Sequence, residues 1–316
     1  MFDHITVLKQ ELVEMTLTTG CQVAVDATAG GGGHTQLLLD RVKDGVVIAF
    51  DRDQRACEHL SARFSEEIKA GSLILIHDAF STMKEHLEKL HFWGKVDTLI
   101  ADLGVSSPQI DEAERGFSFH HDGPLDMRMD RRIEKTAADV VNTYGERELC
   151  SIFREFGEEK MAFPIAKKIV KKAQLAPFET TLDLAGFISD NIGYRTKSKK
   201  HPATKIFQAL RIYVNKELSQ VKYLSEDGFS GLSKGGRLGV ITFHSLEDRI
   251  IKHAFKEYQS PKNPLPKGVP LTSMEVEKRV LKRGKIIKPF PMLPSEKETA
   301  HNKRARSAKL RVIEKL

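Results

Sequence analysis

Within the first 102 residues, four short apolar runs alternate with stretches of helical spacing, and this rhythm restricts the fold more than any other feature. The runs are QVAVDAT (22–28), VVIAFD (46–51), SLILIHD (72–78) and VDTLIAD (96–102). Each has the length of a strand and is followed by a glycine, charge or turn signal. Thr35–Val42 and Gln54–Phe64, which lie between runs, carry apolar residues at helical spacing. Near-continuous apolar strands joined by helices call for a parallel sheet covered on both faces.

The rhythm then stops. Residues 105 to about 203 hold no buried-strand pattern and read as loop followed by helices, for example ERELCSIFREFG and AFPIAKKIVKKAQ. In TKIFQALRIYVNKELSQVKYL (204–224), Phe207, Leu210, Val214, Leu218, Val221 and Leu224 form one stripe, which predicts a single long amphipathic helix. Strand patterning returns at GGRLGVITFHS (235–245). Helix LEDRIIKHAFKEY follows, then a Pro-rich loop (261–270), and SAKLRVIEKL closes the chain as a last strand. The expected fold is α/β: a Rossmann-like, mostly parallel doubly wound sheet over 1–104 and 218–316, interrupted by a helical insertion domain at 105–217.

Hydrophobic residues make up 40% of the 316 and charged residues 29%, an ordinary soluble balance. No apolar run approaches the roughly 18 residues that span a bilayer. Asp3, Lys9, Glu11 and Glu14 occupy the place where a signal peptide needs an apolar stretch. Cys21, Cys57 and Cys150 stand far apart without a CxxC, so reduced thiols in a cytoplasmic protein are expected, and no structural zinc. The net charge is +7, but residues 278–316 carry 13 Lys or Arg against 3 Asp or Glu. A second basic cluster, RTKSKKH, lies at 195–201. Positive charge gathered in this way suits a polyanion such as nucleic acid, or else a solvated tail.

Four glycines, Gly30 to Gly33, follow the first strand and open a helix. Such a run lets a ligand approach the backbone at a helix N-terminus. A phosphate-binding loop would need GxxxxGK[ST], and no Lys follows here. The dinucleotide fingerprint GxGxxG fails because Thr35 or Gln36 stands at the third glycine. The remaining class is the S-adenosylmethionine loop, whose ligand carries a sulfonium and an amino acid instead of a phosphate grip. Asp51 ends the second strand, 19 residues after Gly32, where a carboxylate can accept both ribose hydroxyls of an adenosine. Asp78 or Phe80 at the end of the third strand frames an adenine, or Phe80 is plain core. Asp102 ends the fourth strand, opposite a methyl donor. His34 either enters the helix or touches the ligand.

The segment DLGVSSPQIDEAERGFSFHHDGPLDMRMD (102–130) resembles the MraW/RsmH family of bacterial 16S rRNA cytosine-N4 methyltransferases. So do KHPATKIFQALRIYVNKEL (200–218), GGRLGVITFHSLEDRIIK (235–252) and NKRARSAKLRVIEK (302–315), with HITVL (4–8) fitting loosely. The resemblance runs essentially the whole length. It departs at Thr6 and Lys303, where the family often has Pro. It implies a Rossmann-like S-adenosylmethionine-dependent methyltransferase whose acceptor is the N4 amine of a cytidine in the decoding centre of 16S rRNA, within the small ribosomal subunit. It also implies cofactor positions at Gly32, Gly33, His34, Asp51, Phe80, Asp102 and Gln109.

The chemistry needs no metal: the cofactor brings the reactive carbon, and the protein must orient and polarise. The cytosine amine is a weak nucleophile because its lone pair is delocalised into the ring. Asp102, or nearby carbonyls, is expected to accept its N–H; the alternative is that Asp102 serves only the cofactor. The target base must leave its stack. Phe117 and Phe119 are expected either to stack on it or to fill the seam of the insertion. Asp126, Arg128, Lys199, Lys200, Arg304 and Arg306 are the other candidate RNA contacts. FHSLEDR offers His244, Ser245 and Asp248 too close together for a hydrolytic relay, and FHHD (119–122) is a weak metal signal. Competing classes are a nucleotide-linked oxidoreductase, a small-molecule methyltransferase and an assembly factor without turnover.

Overall fold

The structure is a computed structural model and describes residues 6–192, 201–260, 272, 274 and 282–316. The chain forms two compact units, one of Val105–Glu217 and one of His4–Gly104 with Leu218–Leu316.

The second unit holds a seven-stranded sheet: β1 Val23–Asp26, β2 Val46–Asp51, β3 Leu73–His77, β4 Val96–Asp102, β5 Leu232–Thr242, β6 Gly284–Met292 and β7 Lys309–Lys315. The strand order is β3-β2-β1-β4-β5-β7-β6. The first five are parallel, and β7 runs antiparallel to both β5 and β6. Alternate residues of each strand enter different cores. Ala24, Val47, Ala49, Leu310 and Val312 pack on one face beside Leu12, Leu38 and Phe64. Val23, Val25, Ile48, Phe50 and Ile313 pack on the other beside Leu87, Leu224, Ile251 and Phe255. Both faces are dry, so the strands read as apolar runs rather than alternating ones. The three cysteines are buried and none is in a disulfide, and no helix among the described residues is long and apolar enough to cross a membrane.

The other unit is helical: Ala137–Thr143, Glu146–Glu155, Ala162–Ala173, Thr181–Ile192 and Thr204–Val214 surround one core. Leu149, Ile152 and Phe153 show the i, i+3, i+4 spacing that builds it. Its strand content among the described residues is an isolated bridge between Pro124 and Thr180.

Two expectations change. The helix anticipated over 204–224 breaks: it stops at Val214, Lys216 takes φ 51°, and a new helix runs Glu217–Tyr223. Asn215 causes the break. Its side chain accepts from Met129 N–H at 2.8 Å and donates to the Met127 and Arg211 carbonyls at 2.7 and 2.8 Å. These bonds offset what continued helix would give. Strand β6 was not anticipated, because Pro289 and Pro291 interrupt its pattern; it is the sheet edge, where proline is tolerated.

Candidate active site

Gly32, Gly33, His34, Asp51, Phe80 and Asp102 gather at the carboxyl ends of β1, β2, β3 and β4 or just beyond them, and these strands are adjacent in the sheet. Register places Asp51 beside His77 and Asp102 beside Ile241. This carboxyl edge is where open α/β sheets bind ligands.

The glycine loop is held by carboxylates. Asp51 Oδ2 accepts from the Gly30 N–H at 2.7 Å, and its Oδ1 accepts from the Asp53 N–H at 2.8 Å. Asp26, at the end of β1 and 1% exposed, accepts from Thr35 Oγ1 at 2.7 Å and the Thr28 N–H at 3.1 Å. Thr28 Oγ1 in turn accepts from the Asp102 N–H at 2.7 Å. Gly32 adopts φ 80°, a left-handed conformation that a side chain resists. A Cβ there would lie 2.7 Å from Leu60 Cδ2 and from Phe64 Cε2. A Cβ on Gly33 would meet the Thr6 side chain. At these two positions the protein's own side chains already crowd the backbone. His34 and Thr35 are buried in the first turn of the helix Gly33–Arg41.

Electrostatically this edge is acidic. Burial pushes the Asp102 carboxyl well above the ordinary carboxylate range, and the charges of Asp26, Glu247 and Glu298 push the same way. Asp102 Oδ1 is buried with no hydrogen-bond partner among the described residues. Burial also raises Asp26, to about 6, against the hydrogen bonds from Thr35 and Thr28, and raises Asp51. Glu298 Oε1 accepts from the Leu8 N–H at 2.7 Å and so ties the segment before the helix Lys9–Thr16 to the helix Glu296–His301. An uncompensated carboxyl among three others favours a cationic ligand. A sulfonium and an ammonium on one small molecule fit that set.

Asp26, Glu247 and Glu298 did not emerge from sequence reasoning. Asp26 was readable as the last residue of the first strand, just ahead of the glycines. Glu247 and Glu298 lie far along the chain, and only folding gathers them.

Phe80 opens a short 3₁₀ turn, half-buried against the core that holds Met83 and Leu87. The neighbouring Asp78 pairs with His86 at 3.1 Å. Gln109 lies in the helical unit, buried, where it completes a capping box with Ser106. Phe117 and Phe119 pack against that unit's core. Phe119 stands edge-on to Phe207 at 4.8 Å and tilted on His201 at 4.7 Å. Arg128 grips Asp126 through Nε at 2.8 Å and Nη2 at 2.9 Å, and donates to the Ile133 carbonyl at 2.8 Å. Arg304 and Arg306 are exposed on the 3₁₀ turn Lys303–Ser307, with Ala305 buried between them. Lys199 and Lys200 lie outside the described residues. The His244–Ser245–Asp248 trio is no relay, since Asp248 is taken by Arg311 at 2.8 Å and Lys309 at 3.3 Å.

The MraW methylase family model matches residues 1–316. A relative from Clostridioides difficile named ribosomal RNA small subunit methyltransferase H is 44% identical over 317 residues, covering 100% of this chain and 99% of the relative. One of the same name from Oenococcus oeni is 42% identical over 315 residues, covering 99% and 98%. A solved rRNA methylase from Streptococcus thermophilus is similar at 13% identity over 98% of this chain and 93% of its own, with a TM-score of 0.36, too distant to add weight. On the full-length sequence matches, the chain belongs to the MraW methylase family.

Proposed function

We propose that this protein transfers a methyl group from S-adenosylmethionine to the N4 amine of a cytidine in the decoding centre of 16S rRNA, in the small ribosomal subunit. The observation that carries the reading, within a full-length methylase match, is the Asp102 carboxyl at the end of β4 with its buried, unpartnered Oδ1. S-adenosylmethionine, when bound, supplies an electrophilic methyl group and a fixed positive charge. Asp26, Glu247 and Glu298 keep the site negative and attract that charge. Asp51 has one lone pair left on each oxygen beyond its two backbone bonds, and takes the ribose hydroxyls. Phe80 flanks the adenine, and the backbone of Gly32 and Gly33 with His34 completes this unit's cofactor set; the family resemblance also implies Gln109.

Asp102 accepts a hydrogen bond from the cytosine amine, which returns electron density to nitrogen. It then takes the proton that the amine releases as the new N–C bond forms and the S–C bond breaks. A raised pKa suits this role, because it makes the carboxylate a stronger base toward the released proton. Phe117, Phe119, Asp126, Arg128, Lys199, Lys200, Arg304 and Arg306 are the proposed RNA contacts. Asp126 fixes Arg128, so that its remaining N–H donors meet a phosphate without first being ordered.

The test is to incubate the protein with labelled S-adenosylmethionine and small subunits from cells lacking this methylation, then digest the RNA and identify the labelled nucleoside by mass spectrometry. N4-methylcytidine at one site is expected. Label in another nucleoside would overturn the acceptor, and no label would reject the reading.

A further inference from the structure

We infer that the outer face of the helix Ala162–Ala173 is an RNA-docking surface; the inference rests on the rRNA reading above. Residues 160–178 contain five lysines and no acidic residue. Ala162, Ile165, Ala166 and Ile169 face the core of the helical unit. The four lysines of the helix divide into two pairs. Lys168 Nζ donates to the Asn191 carbonyl at 3.0 Å. Lys172 Nζ meets Asp183 Oδ2 at 2.9 Å and the Pro177 carbonyl at 3.2 Å, and lies 4.0 Å from the centre of the Phe178 ring. That pair closes the unit on itself. Lys167 and Lys171 are exposed and take no partner among the described residues.

Four residues apart, Lys167 and Lys171 stand about 6 Å from one another along the axis. That reach matches adjacent phosphates of one nucleic-acid strand. One turn earlier on the same face lies Phe163, 48% exposed, and Leu175 beyond the helix is 83% exposed. A solvated helix face has no use for an exposed phenyl ring, and it commonly alternates lysine with acid at i, i+4. The helix dipole accounts for cations in the last turn, Lys171 and Lys172, but not for Lys167 or Phe163. Of the acids around the helix, Glu159 is 3.6 Å from Lys205 Nζ and Asp183 is taken by Lys172. Cations at phosphate spacing beside an open aromatic face are what a single RNA strand recognises: charge for the backbone and a ring for a base.

The experiment titrates a fluorescent oligouridylate, and separately unmethylated small subunits, with wild type, Lys167→Glu/Lys171→Glu, Lys167→Arg/Lys171→Arg and Phe163→Ala across a salt series. Calorimetry with S-adenosylmethionine and melting temperature check that the fold persists. The charge-reversed pair is expected to flatten the log–log salt slope by about 1.4, from roughly 0.7 per lost single-strand contact. The arginine pair is expected to keep the slope, and Phe163→Ala to weaken oligouridylate binding about tenfold, all with unchanged cofactor affinity. Unchanged slope and affinity on oligouridylate would overturn the inference. So would a loss confined to intact subunits, which would assign the face to a ribosomal protein. Failure of wild type to methylate subunits would reject the underlying function instead, because the oligouridylate titration does not depend on turnover.

Discussion

Asp102 and Asp126 are carboxylates in opposite situations. Burial pushes Asp126 up, but the hydrogen bonds and charge of Arg128 outweigh it and hold the group below its ordinary value. Burial pushes Asp102 up too, and there the neighbouring charges are all negative. The first is a closed pair that fixes a loop; the second is an open demand for positive charge. The loop around Asp126 repeats the closed pattern: Arg132 grips Asp130 at 2.8 Å, and Arg115 Nη2 donates to the Arg128 and Met129 carbonyls at 3.1 and 3.2 Å. Where a chain satisfies its own charges it is building scaffold. Where it concentrates like charges out of water, something must come from outside to settle them.

The contrast breaks most visibly at Asp102. Asp102→Ala is expected to lower turnover by about 10²- to 10⁴-fold, well beyond its loss of cofactor affinity; single-turnover kinetics beside calorimetry would separate the two. Equal loss of both would confine Asp102 to cofactor binding. Next comes Asp26. Its folded pKa of about 6 lies above the ordinary aspartate value of 3.8, so the unfolded chain ionises first as pH rises. Its burial therefore costs stability that grows between about pH 4 and pH 6, up to about 3 kcal/mol. Asp26→Asn should be more stable than wild type by a margin that widens across that window, seen by denaturant titration at each pH. A constant margin would contradict the assignment.

Arg128→Ala should cost about 1–3 kcal/mol of stability, because it strands the half-buried Asp126. It should lower affinity for RNA without altering affinity for the cofactor; unchanged stability would show that the pair is not scaffold. The smallest effect is expected at Glu298. Glu298→Ala removes the acceptor of the Leu8 N–H, a loss of about 1 kcal/mol, and should loosen Thr6 from Gly33 and weaken cofactor binding a few-fold. Glu298→Gln keeps an acceptor oxygen for the Leu8 N–H and loses only the charge, so it should recover the stability and part of the cofactor affinity that Glu298→Ala loses. If both variants behave alike, charge rather than the strap is what matters.

The parts of this molecule that could be read from sequence are those where local pattern and tertiary demand agree. Strands β1 to β4 are buried on both faces, so their apolar density announces them. Asp51 and Asp102 were readable because each ends such a strand. Strand β6 was hidden because its prolines contradict strand patterning and are admissible only at an edge. The break at Asn215 and Lys216 was hidden because its cause is a set of bonds to Met127 and Met129, more than eighty residues away. The glycines were visible, but the neighbours that require two of them, Thr6, Leu60 and Phe64, were not. Likewise the acidity at Asp102 comes partly from Glu247 and Glu298, which no spacing connects to the fourth strand.

The most direct measurement is an isotope-edited NMR titration of the Asp102 carboxyl, in the free protein and with S-adenosylmethionine or S-adenosylhomocysteine bound. In the free protein the group should titrate well above the ordinary carboxylate range. Its value should drop with the sulfonium ligand and drop less with the uncharged thioether. An ordinary value in the free protein, or the same value with both ligands, would contradict the claim that this edge of the sheet is charged to receive a cation.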